Sequence, residues 1–514
     1  MLFQQRPVSM NLYTGIRKNL PVILVLLFVG GIYLLFPTRN STTDAIGYAA
    51  DIKFGVPGMF TPHHLLYSKF FEWLCLPFRK AFPNADVLSL TKTFNSLFAL
   101  GSLVLLARIL KNAYHYPPAK IGALLLPAAF CFGFWRFSID NESYIVAIFF
   151  SLSGTYAFLK LQLSEKSRGL MAVMAGFWAA LACLFHQIHF FWWLALLISI
   201  FSHRKTRKYT LFYAFPAIIV PVIYGLVLVF NYHEKLTVSH FIHFVFYSYF
   251  SGSAPIAIGL KNIFFTAVAL IRTFIQIYPT QLTLLKSGIG YYLPLCAGLL
   301  MLYYIVRNRR NVFLRTALRD RDKKLKPFVN GLIIVILLQF LFAAFSMGNA
   351  KFMIMLPLLM VLILPYFGTF DKGFSRLIIV FLFLWNFCYG AWPDYHYNYY
   401  NSQYPTAFLR QNPGAALITR NYGISDRYRY ATGIEQNTNI IDVSAQPLNI
   451  ELVDSLLHSN KPVYTDLIDY PTVYNRDYFT DNVSTDTFWK PFNHTKTDSF
   501  RNFYGKVYIS RITK

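Results

Sequence analysis

Charged residues are scarce in this sequence: they make up 14% of its 514 residues, whereas hydrophobic residues make up 55%. A chain with so little charge cannot be folded around aqueous cores of ordinary size, so we expect most of it to face lipid. Internal repeats and low-complexity stretches are also missing. The composition therefore predicts an integral membrane protein.

Cysteine is rare as well, and the five cysteines have no metal-type spacing. Four of them lie in apolar runs, where a cysteine usually acts as a small buried hydrophobic residue. The tail after Pro393 contains no cysteine, so it needs no disulfide even if it is exported. The five are Cys75, Cys131, Cys183, Cys296 and Cys388.

Acidic residues are half as frequent as basic ones, with 23 against 48, which gives a net charge of +25. From Pro393 onward there are 12 of each sign, so the first 392 residues carry the whole excess, 36 basic against 11 acidic. Basic loops between apolar runs are typical of topology signals in a membrane protein. No soluble module combines a basic patch with interleaved aromatics, so we expect no nucleic-acid partner.

Apolar residues form blocks of roughly 17–22 residues, each long enough for a helix to cross about 30 Å of hydrocarbon. Examples are Leu20–Phe36, Tyr209–Phe230, Pro327–Phe345 and Leu377–Trp392. Placing the spans by hydropathy and orienting them by lysine and arginine predicts about eleven transmembrane helices with a cytoplasmic N-terminus. We therefore predict an α-helical polytopic, multi-pass protein of the cell (inner) membrane.

Two domains are predicted. Residues 1–392 form the multi-span membrane domain, with a long first outer loop at 38–89, and residues 393–514 form a small extracytoplasmic α/β domain. The segment Ile256–Pro279 is predicted to be an interfacial or re-entrant helix, with two extra crossings as the alternative. The elements predicted in the tail are strands at Ala415–Thr419, Asn439–Val443 and Pro462–Thr465 and a helix at Ile450–Ser459.

The first polar cluster follows the first span and reads Asp44-Ala45-Ile46-Gly47-Tyr48, with Asp51 further on. A carboxylate so close to the outer membrane surface can accept a proton from a hydroxyl, which is the work of a general base. Asp44 is therefore a candidate catalytic residue, and Tyr48 and Asp51 are candidate substrate-binding residues. The alternative is that these acids are simply solvated loop residues.

The second cluster, Thr61-Pro62-His63-His64-Leu65-Leu66-Tyr67, lies in the same long loop. Loops longer than about 15 residues in a compact protein tend to be functional. Because His63 and His64 are sequence neighbours, their side chains would diverge on a helix, which disfavours metal ligation. We expect His63, His64 and Tyr67 to start a helix and line a substrate site.

The third cluster spans residues 134–144, at the outer ends of two spans, and contains Arg136, Asn141, Glu142 and Tyr144 as candidate substrate-binding residues. An acidic side chain at the end of a transmembrane span has a high free energy unless it is ion-paired, so an unpaired one usually belongs to a functional site. Glu142 is therefore either ion-paired with Arg136 or a group of the site.

The fourth cluster, residues 346–352, lies between two late spans and contains Asn349 and Lys351. Lys351 is a single cation in an apolar neighbourhood, where it either snorkels to the interface or stabilises an anionic leaving group at that depth. His186 caps another span on the same side, with an ordinary polar turn as the alternative. Topology places all these clusters on the outer face.

Together these residues resemble the multi-span glycosyltransferases of the C-type (GT-C) fold, which use polyprenyl-phosphate sugars. The family that looks most similar includes an animal protein O-mannosyltransferase. The resemblance covers residues 20–200 and, more weakly, 340–365, and the tail has no recognisable motif. The stretches that carry it are Asp44, Thr61–Tyr67, Phe134-Trp135 with Glu142-Ser143-Tyr144, His186 after Ala182-Cys183-Leu184-Phe185, and Asn349-Ala350-Lys351-Phe352. His63 and His64 replace a proline and a glycine of the family motif, so the acceptor is expected to differ.

The resemblance implies an inverting hexosyl- or pentosyltransferase that acts on the outer membrane face. In that scheme Asp44 deprotonates or orients the acceptor hydroxyl, and the lipid phosphate leaves toward Lys351, helped by Arg136. Glu142 and His186 position the donor or the acceptor. The implied partners are a polyprenyl-phosphate sugar donor, a protein, lipid or glycan acceptor, and membrane lipids. No cofactor is required in that scheme, and a divalent metal is not excluded.

Two other functions use the same kind of substrate. A transporter or flippase for lipid-linked sugars should have broken or charged helices near the middle of the bilayer, whereas the charges here gather at span ends. A polysaccharide polymerase or ligase usually depends on several arginines in a large late loop. The late outer loop of this sequence, residues 231–286, contains one arginine, Arg272. We therefore favour the transferase.

Overall fold

The computed structural model of the chain is mostly helical, with a small sheet near its C-terminal end. The residues that it describes are 8–55, 59–164, 166–252, 259–278, 280–315, 320–346, 348–399, 401–421, 423–434, 439–443, 448–459, 461–468 and 486–514.

The α-helices up to residue 396 are α1 (Val8–Leu35), α2 (Thr43–Phe54), α3 (Tyr67–Ala81), α4 (Val87–Tyr114), α5 (Pro118–Phe130), α6 (Phe132–Ser138), α7 (Tyr144–Leu163), α8 (Arg168–Phe185), α9 (Phe190–Ser202), α10 (Thr210–Ala214), α11 (Ile219–Phe230), α12 (Val238–Val245), α13 (Tyr247–Phe250), α14 (Leu260–Phe274), α15 (Thr280–Ser287), α16 (Leu293–Asn308), α17 (Asp320–Phe345), α18 (Leu356–Phe367), α19 (Lys372–Asn386) and α20 (Trp392–His396). The tail adds α21 (Gln403–Gln411), α22 (Ile424–Thr432), α23 (Ile450–His458) and α24 (Asp486–Trp489).

The described part of the chain contains nine helices that are long and apolar enough to cross a membrane. A tenth span results if α5 and α6, which meet at an angle of 77°, are counted together. The shorter apolar helix at Gln187–Ser202 packs against α17 and α7. By length and composition the described residues thus contain nine or ten candidate spans, slightly fewer than the eleven or so predicted from the sequence, and the chain is a multi-pass membrane protein.

The bend between α5 and α6 lies at Cys131, whose extended backbone (φ −63°, ψ 134°) interrupts the helix. A break leaves backbone carbonyls without helical partners. Asn386 supplies partners for two such groups, because its amide donates to the carbonyl oxygens of Phe130 (2.7 Å) and Phe274 (2.8 Å). Asn386 therefore fixes the ends of α5 and α14 next to α19.

Small residues allow the helices at the centre of the bundle to approach closely, as is common in membranes. A Cβ atom at Gly176 of α8 would lie 1.9 Å from the carbonyl oxygen of Tyr213 in α10. A Cβ atom at Gly154 of α7 would lie 3.0 Å from the carbonyl oxygen of Ala175. These two glycines are required for the packing of α8 against its neighbours.

Helix α14 occupies most of the segment that was expected to be interfacial, and it is not among the helices long enough to span. It packs against α17 and α6. Its buried residues recur at helical spacing on one face and are Asn262, Thr266, Ala269 and Thr273. The remaining residues of the predicted segment, 256–258 and 279, lie outside the described residues.

The tail forms a five-stranded sheet, in which β3 is parallel to β4 and β5, and β7 is antiparallel to β5 and β6. The three predicted strands and the predicted helix are present, whereas the β6–β7 hairpin was not predicted. A separate two-stranded sheet joins β1 and β2. The strands are β1 (Phe313–Arg315), β2 (Gly368–Phe370), β3 (Ala416–Thr419), β4 (Ile440–Asp442), β5 (Val463–Thr465), β6 (Asn493–Arg501) and β7 (Lys506–Thr513).

The tail is docked onto the first loop through α22, which packs against α2. Arg429 of α22 forms an ion pair with Asp51 of α2, and Lys53 donates to the carbonyl oxygen of Tyr430 (2.9 Å). Asp51 is buried in this contact. Asp51 was expected to bind substrate. In the structure its carboxylate instead forms an ion pair that joins α22 to α2.

Candidate active site

Three local structures position the acidic and basic groups of the site. Thr42 caps the N-terminus of α2 by accepting a hydrogen bond from the Ala45 amide (3.1 Å), so Asp44 lies in the first turn of that helix. Glu142 lies in the turn between α6 and α7. Lys351 lies in a short 3₁₀ turn whose preceding residue, Asn349, accepts a hydrogen bond from the Lys351 amide (3.0 Å).

These turns bring Asp44, Glu142 and Lys351 together, as the sequence analysis expected. The Nζ atom of Lys351 lies 2.6 Å from Oδ2 of Asp44 and 3.3 Å from Oε1 of Glu142. The two carboxylates are separated from the lysine by 307 and 209 positions in the sequence. We call these three residues the catalytic cluster. The ammonium group thus bridges two acids that belong to different elements.

The two acids of the catalytic cluster differ in their exposure. The side chain of Asp44 is 49% exposed, whereas that of Glu142 is fully buried. Oε1 of Glu142 also accepts a hydrogen bond from the Thr42 hydroxyl (2.7 Å). Among the described residues Oε2 of Glu142 has no hydrogen-bond partner. Asp44 is therefore accessible to a substrate, and Glu142 has one unused acceptor atom.

Burial raises the pKa of Glu142 to about 7, because an ionised carboxylate loses hydration there. The Lys351 ammonium acts in the opposite direction, and the charges of Asp44 and Asp140 add to the rise. In α22, burial likewise raises the pKa of Asp426 to about 6, with Arg429 opposing and Asp44 reinforcing the rise. The site therefore contains acids that change charge near neutral pH.

Arg136 does not pair with Glu142, which corrects one alternative from the sequence. Its guanidinium contacts Oδ2 of Asp140 (2.9 Å) and Oδ2 of Asp394 (3.1 Å), and it donates to the carbonyl oxygen of Asn40 (2.6 Å). Asp140 lies one turn away on the same helical stretch, and the end of the last span supplies Asp394. Arg136 is thus neutralised by two carboxylates and holds the last span against the first loop.

Asn141 and Tyr67 form buried hydrogen bonds next to the catalytic cluster. The Tyr67 hydroxyl donates to Oδ1 of Asn141 (2.7 Å), and Nδ2 of Asn141 donates to the carbonyl oxygen of Ala45 (2.7 Å). Both side chains are buried. They anchor the first turn of α2, which carries Asp44.

A wall of aromatic and histidine rings lies beside the catalytic cluster. The ring centroids of Tyr144 and His186 are 4.4 Å apart, those of Tyr48 and His64 are 4.5 Å apart, and those of His64 and His63 are 4.2 Å apart. Burial lowers the pKa of His63, His64 and His186, so these rings are neutral at pH 7. The rings therefore form a packed, largely uncharged layer beside the cluster, in which Tyr48, His64, Tyr144 and His186 are buried.

A cavity of about 500 Å³ adjoins the catalytic cluster, and we call it the catalytic cavity. Its wall includes Lys351, Thr43 and Ile46, and α6, α14 and the tail bound it on the other sides. Three further cations line it that were not predicted as site residues: Arg39, Arg272 and Arg427. Arg272 was noted only as the single arginine of its loop, and Arg427 lies in a tail without recognisable motifs.

The predicted site residues therefore fall into three groups. Asp44, Glu142 and Lys351 form the cluster, with Arg136 and Asn349 in the wall of the catalytic cavity. The rings form the adjacent wall and are Tyr48, His63, His64, Tyr144 and His186. Tyr67, Asn141 and Asp51 have supporting positions in the described structure.

A metal site was not expected from the sequence. Within the described residues no group of three or more histidine, cysteine, aspartate and glutamate side chains is arranged to hold a metal ion. The two carboxylates of the catalytic cluster are bridged by the Lys351 ammonium. The expectation that no cofactor is required stays a prediction.

No protein-family model matches the sequence, and no curated protein matches it either. Solved structures do match its fold. An oligosaccharyltransferase from Archaeoglobus fulgidus in its apo form matches with a TM-score of 0.50 and 10% identity, over 87% of this chain and 69% of the other. ArnT from Cupriavidus metallidurans matches with a TM-score of 0.41 and 11% identity, over 95% of this chain and 97% of the other.

At such low identity the likeness to the archaeal enzyme shows the fold alone. The chain has the C-type (GT-C) glycosyltransferase fold, with a small sheet-containing region at its C-terminal end. The expected fold class is therefore confirmed. The narrower resemblance to the family of the animal O-mannosyltransferase stays a prediction.

Proposed function

We propose that this protein is an inverting glycosyltransferase that moves a sugar from a polyprenyl-phosphate donor to an acceptor hydroxyl. The observation that carries the proposal is the catalytic cluster, in which Lys351 bridges an exposed and a buried carboxylate beside a basic cavity. A second support is the fold, which is shared with an enzyme that transfers oligosaccharides. The reaction follows from the chemistry of these groups.

The donor phosphate binds in the catalytic cavity between Lys351 and Arg272. Both side chains line the cavity, and Nε of Arg272 is buried without a hydrogen-bond partner among the described residues. A buried donor of this kind is costly until it meets an acceptor, so a phosphate oxygen stabilises it. The cations also stabilise the phosphate as it leaves with the electron pair of the broken bond.

Asp44 acts as the general base. In a direct displacement the acceptor oxygen attacks the anomeric carbon from the face opposite to the phosphate, and Asp44 takes the hydroxyl proton. The base and the cation that binds the leaving group must then lie on opposite sides of that carbon. In the free protein they are in contact at 2.6 Å, so donor binding has to draw the Lys351 ammonium away. The flexible lysine side chain permits this movement.

This exchange of partners couples donor binding to activation of the base. While Lys351 contacts Asp44, the ammonium occupies the Oδ2 atom that could otherwise accept the hydroxyl proton. When the phosphate takes the ammonium, Asp44 becomes free to accept a proton. The order of events is therefore donor first and acceptor second.

Glu142 and the ring wall position the sugar. Oε2 of Glu142 accepts a hydrogen bond from a sugar hydroxyl, since it is buried and has no partner in the described part of the chain. The buried rings of Tyr144 and His186 pack against each other and form the uncharged layer behind the sugar. The reaction takes place on the outer face of the membrane, with the N-terminus in the cytoplasm and the tail outside.

A transporter or flippase of lipid-linked sugars is the main rival. Charged residues in the candidate spans lie near helix ends, such as Lys92 in α4 and Lys160 in α7, rather than at their centres. This distribution favours the transferase. A protein of the rival class would move the lipid across a bilayer without releasing its sugar.

The test uses the purified protein in nanodiscs with a panel of polyprenyl-phosphate sugars and a membrane lipid extract as the acceptor source. We expect one donor to be consumed, polyprenyl phosphate to appear, and the product linkage to have inverted anomeric configuration by NMR. Movement of an intact donor across proteoliposomes without release of polyprenyl phosphate would support the transporter instead. Absence of any turnover with the whole panel would contradict the proposal.

A further inference from the structure

A second cavity, of about 700 Å³, lies between the membrane helices and the tail. Its membrane side is formed by the end of α1 and the start of α4, and its other side by α21 and α22. Four basic residues line it, and we call it the basic chamber: Arg39, Lys92, Arg410 and Arg427. Neither the fold nor the proposed reaction assigns it a ligand.

The chamber has one acidic residue in its wall, Asp86, and this acid is already engaged. Asp86 caps α4 and accepts hydrogen bonds from the Ser89 amide (2.9 Å) and the Ser89 hydroxyl (2.7 Å). The Tyr430 hydroxyl donates to its other oxygen. Among the described residues the chamber wall therefore has four cations and one acid, and the charge of the nearby Asp140 offsets only part of the excess at Lys92 and Arg427.

The four cations have no carboxylate within 4.0 Å in the described part of the chain. Lys92 is buried and donates to the carbonyl oxygen of Thr38 (2.7 Å), and the guanidinium of Arg39 lies 5.2 Å from the ring centre of Tyr395. Nε of Arg427 is buried with no hydrogen-bond partner among the described residues. Such a donor lowers its free energy when an anion enters the chamber.

The chamber also borders the lipid. Leu34, in the last turn of α1, lines it and is 44% exposed, and the neighbouring Leu35 is 68% exposed. These apolar side chains belong to a membrane-crossing helix, so their exposed surfaces face acyl chains. A ligand can therefore place an anionic head in the chamber and keep an apolar tail along α1.

The basic chamber and the catalytic cavity share part of their walls. Arg39, Asn398, Gln403 and Arg427 line both, whereas Lys351 lines only the catalytic cavity. Close to this shared wall, Gly423 before α22 faces Thr43, the residue before Asp44. A ligand held in the chamber is thus adjacent to the base but separate from the lysine that binds the donor phosphate.

From this geometry we propose that the basic chamber binds the phosphate-bearing head of an amphipathic acceptor. The acceptor role rests on the proposed transferase function. The binding site itself does not, because it follows from the charge, the unpartnered Arg427 atom and the lipid-facing wall. The tail of the protein, through α21 and α22, is then the part that selects the acceptor.

Binding is tested on the purified full-length protein without any donor. Short-chain phosphatidic acid supplies a phosphomonoester on an amphiphile, phosphatidylcholine supplies a zwitterionic amphiphile, and inorganic phosphate supplies the head alone. We expect phosphatidic acid to bind at least tenfold more tightly than either of the others. Equal affinity for phosphatidylcholine would overturn the anionic site, and equal affinity for inorganic phosphate would overturn the amphipathic ligand.

Two substitutions locate the bound lipid. Arg410→Gln removes a cation that lines only the chamber, and Ala407→Glu adds a carboxylate on the same face of α21. We expect each to weaken phosphatidic acid binding, Arg410→Gln by roughly threefold to tenfold. The matched controls are Arg501→Gln on β6 and Ser455→Glu on α23, both exposed elsewhere on the tail, and they should bind like the wild type. Equal effects of test and control variants would overturn the location.

Measurements of turnover distinguish the proposal about the basic chamber from the proposed transferase function. In the transferase assay Ala407→Glu should raise the acceptor KM and leave the donor KM unchanged. The wild type could turn over no donor but bind phosphatidic acid with the expected sensitivity to Ala407→Glu. That result would support the binding site in the chamber and contradict the transferase function. If turnover occurs but neither binding nor the acceptor KM responds to the chamber variants, the chamber proposal fails alone.

Discussion

The catalytic cluster and the basic chamber lie next to each other but balance their charges in different ways. In the cluster, one ammonium contacts two carboxylates, so the positive charge of Lys351 is already compensated in the free protein. In the chamber, four cations share a wall with a single acid that is fully used as a helix cap. A lysine that is already ion-paired has to leave its partners before it can bind a ligand, whereas cations without carboxylate partners attract an anion directly. The comparison assigns the chemistry to the cluster and the recognition of an anionic head to the chamber.

Substitution of the proposed base should abolish most of the turnover in the catalytic cluster without affecting ligand binding in the basic chamber. Asp44→Asn should lower kcat by roughly 10²–10⁴-fold, since general-base catalysis contributes about that much. Phosphatidic acid binding should not change. The measurement is release of polyprenyl phosphate per unit of protein that elutes at the wild-type position in size-exclusion chromatography. Asp454→Asn on α23 is the matched control, and full activity of Asp44→Asn would remove the assignment of the base.

Removing the cation affects the cluster differently. Lys351→Gln should raise the donor KM by roughly ten- to hundredfold, because it removes a charged hydrogen bond to the phosphate. Lys351→Arg should restore part of the affinity, since it keeps the charge. Lys261→Gln on α14, an exposed lysine that lines neither cavity, serves as the control. An unchanged donor KM in Lys351→Gln would remove the assignment of this lysine to the donor phosphate.

The titration of Glu142 sharpens the comparison, because this acid belongs to the catalytic cluster and does not line the basic chamber. The raised pKa, about 7, means that Glu142 is ionised above pH 7 and competes with the donor phosphate for Lys351. Below pH 7 it is neutral and competes less, although Asp44 still contacts the ammonium. The donor KM should therefore fall by roughly fivefold from pH 8 to pH 6, the size of one weak ion pair. In Glu142→Gln the donor KM should be low at both pH values; a wild-type pH dependence in that variant would contradict this role.

Removal of divalent cations should have the smallest effect. Because Lys351 and Arg272 stabilise the leaving group in the proposed reaction, treatment with EDTA followed by dialysis should leave both turnover and phosphatidic acid binding unchanged. The same assays before and after treatment provide the measurement. Loss of turnover that added Mg²⁺ or Mn²⁺ restores would show that the cluster works with a metal.

Much of the fold was predictable because its signals are local. Long apolar runs and basic turns give the spans, and alternating or amphipathic segments give β3, β4, β5 and α23. The β6–β7 hairpin was missed because the exposed β6 begins with Asn493-His494-Thr495-Lys496-Thr497 and lacks an apolar period of two. A strand without a buried face carries little of that signal in its sequence.

The site was predictable where polar residues interrupt apolar sequence near span ends. Asp44, Glu142 and Lys351 stood out for this reason, and they meet in the structure. The partners of Arg136 were missed because Asp394 lies in the last candidate span, far along the chain. Arg427 was missed because a basic residue in a polar tail is ordinary until the docking of α22 places it between two cavities.

The most direct test is a cryo-EM structure of the inactive Asp44→Asn variant with its polyprenyl-phosphate sugar bound. The account predicts a phosphate oxygen within about 4 Å of the Lys351 Nζ atom, which is the range of an ion pair. It also predicts that the anomeric carbon lies between the phosphate and residue 44, with the ammonium withdrawn from that residue. A donor phosphate outside the catalytic cavity, with Lys351 still held between residue 44 and Glu142, would contradict it.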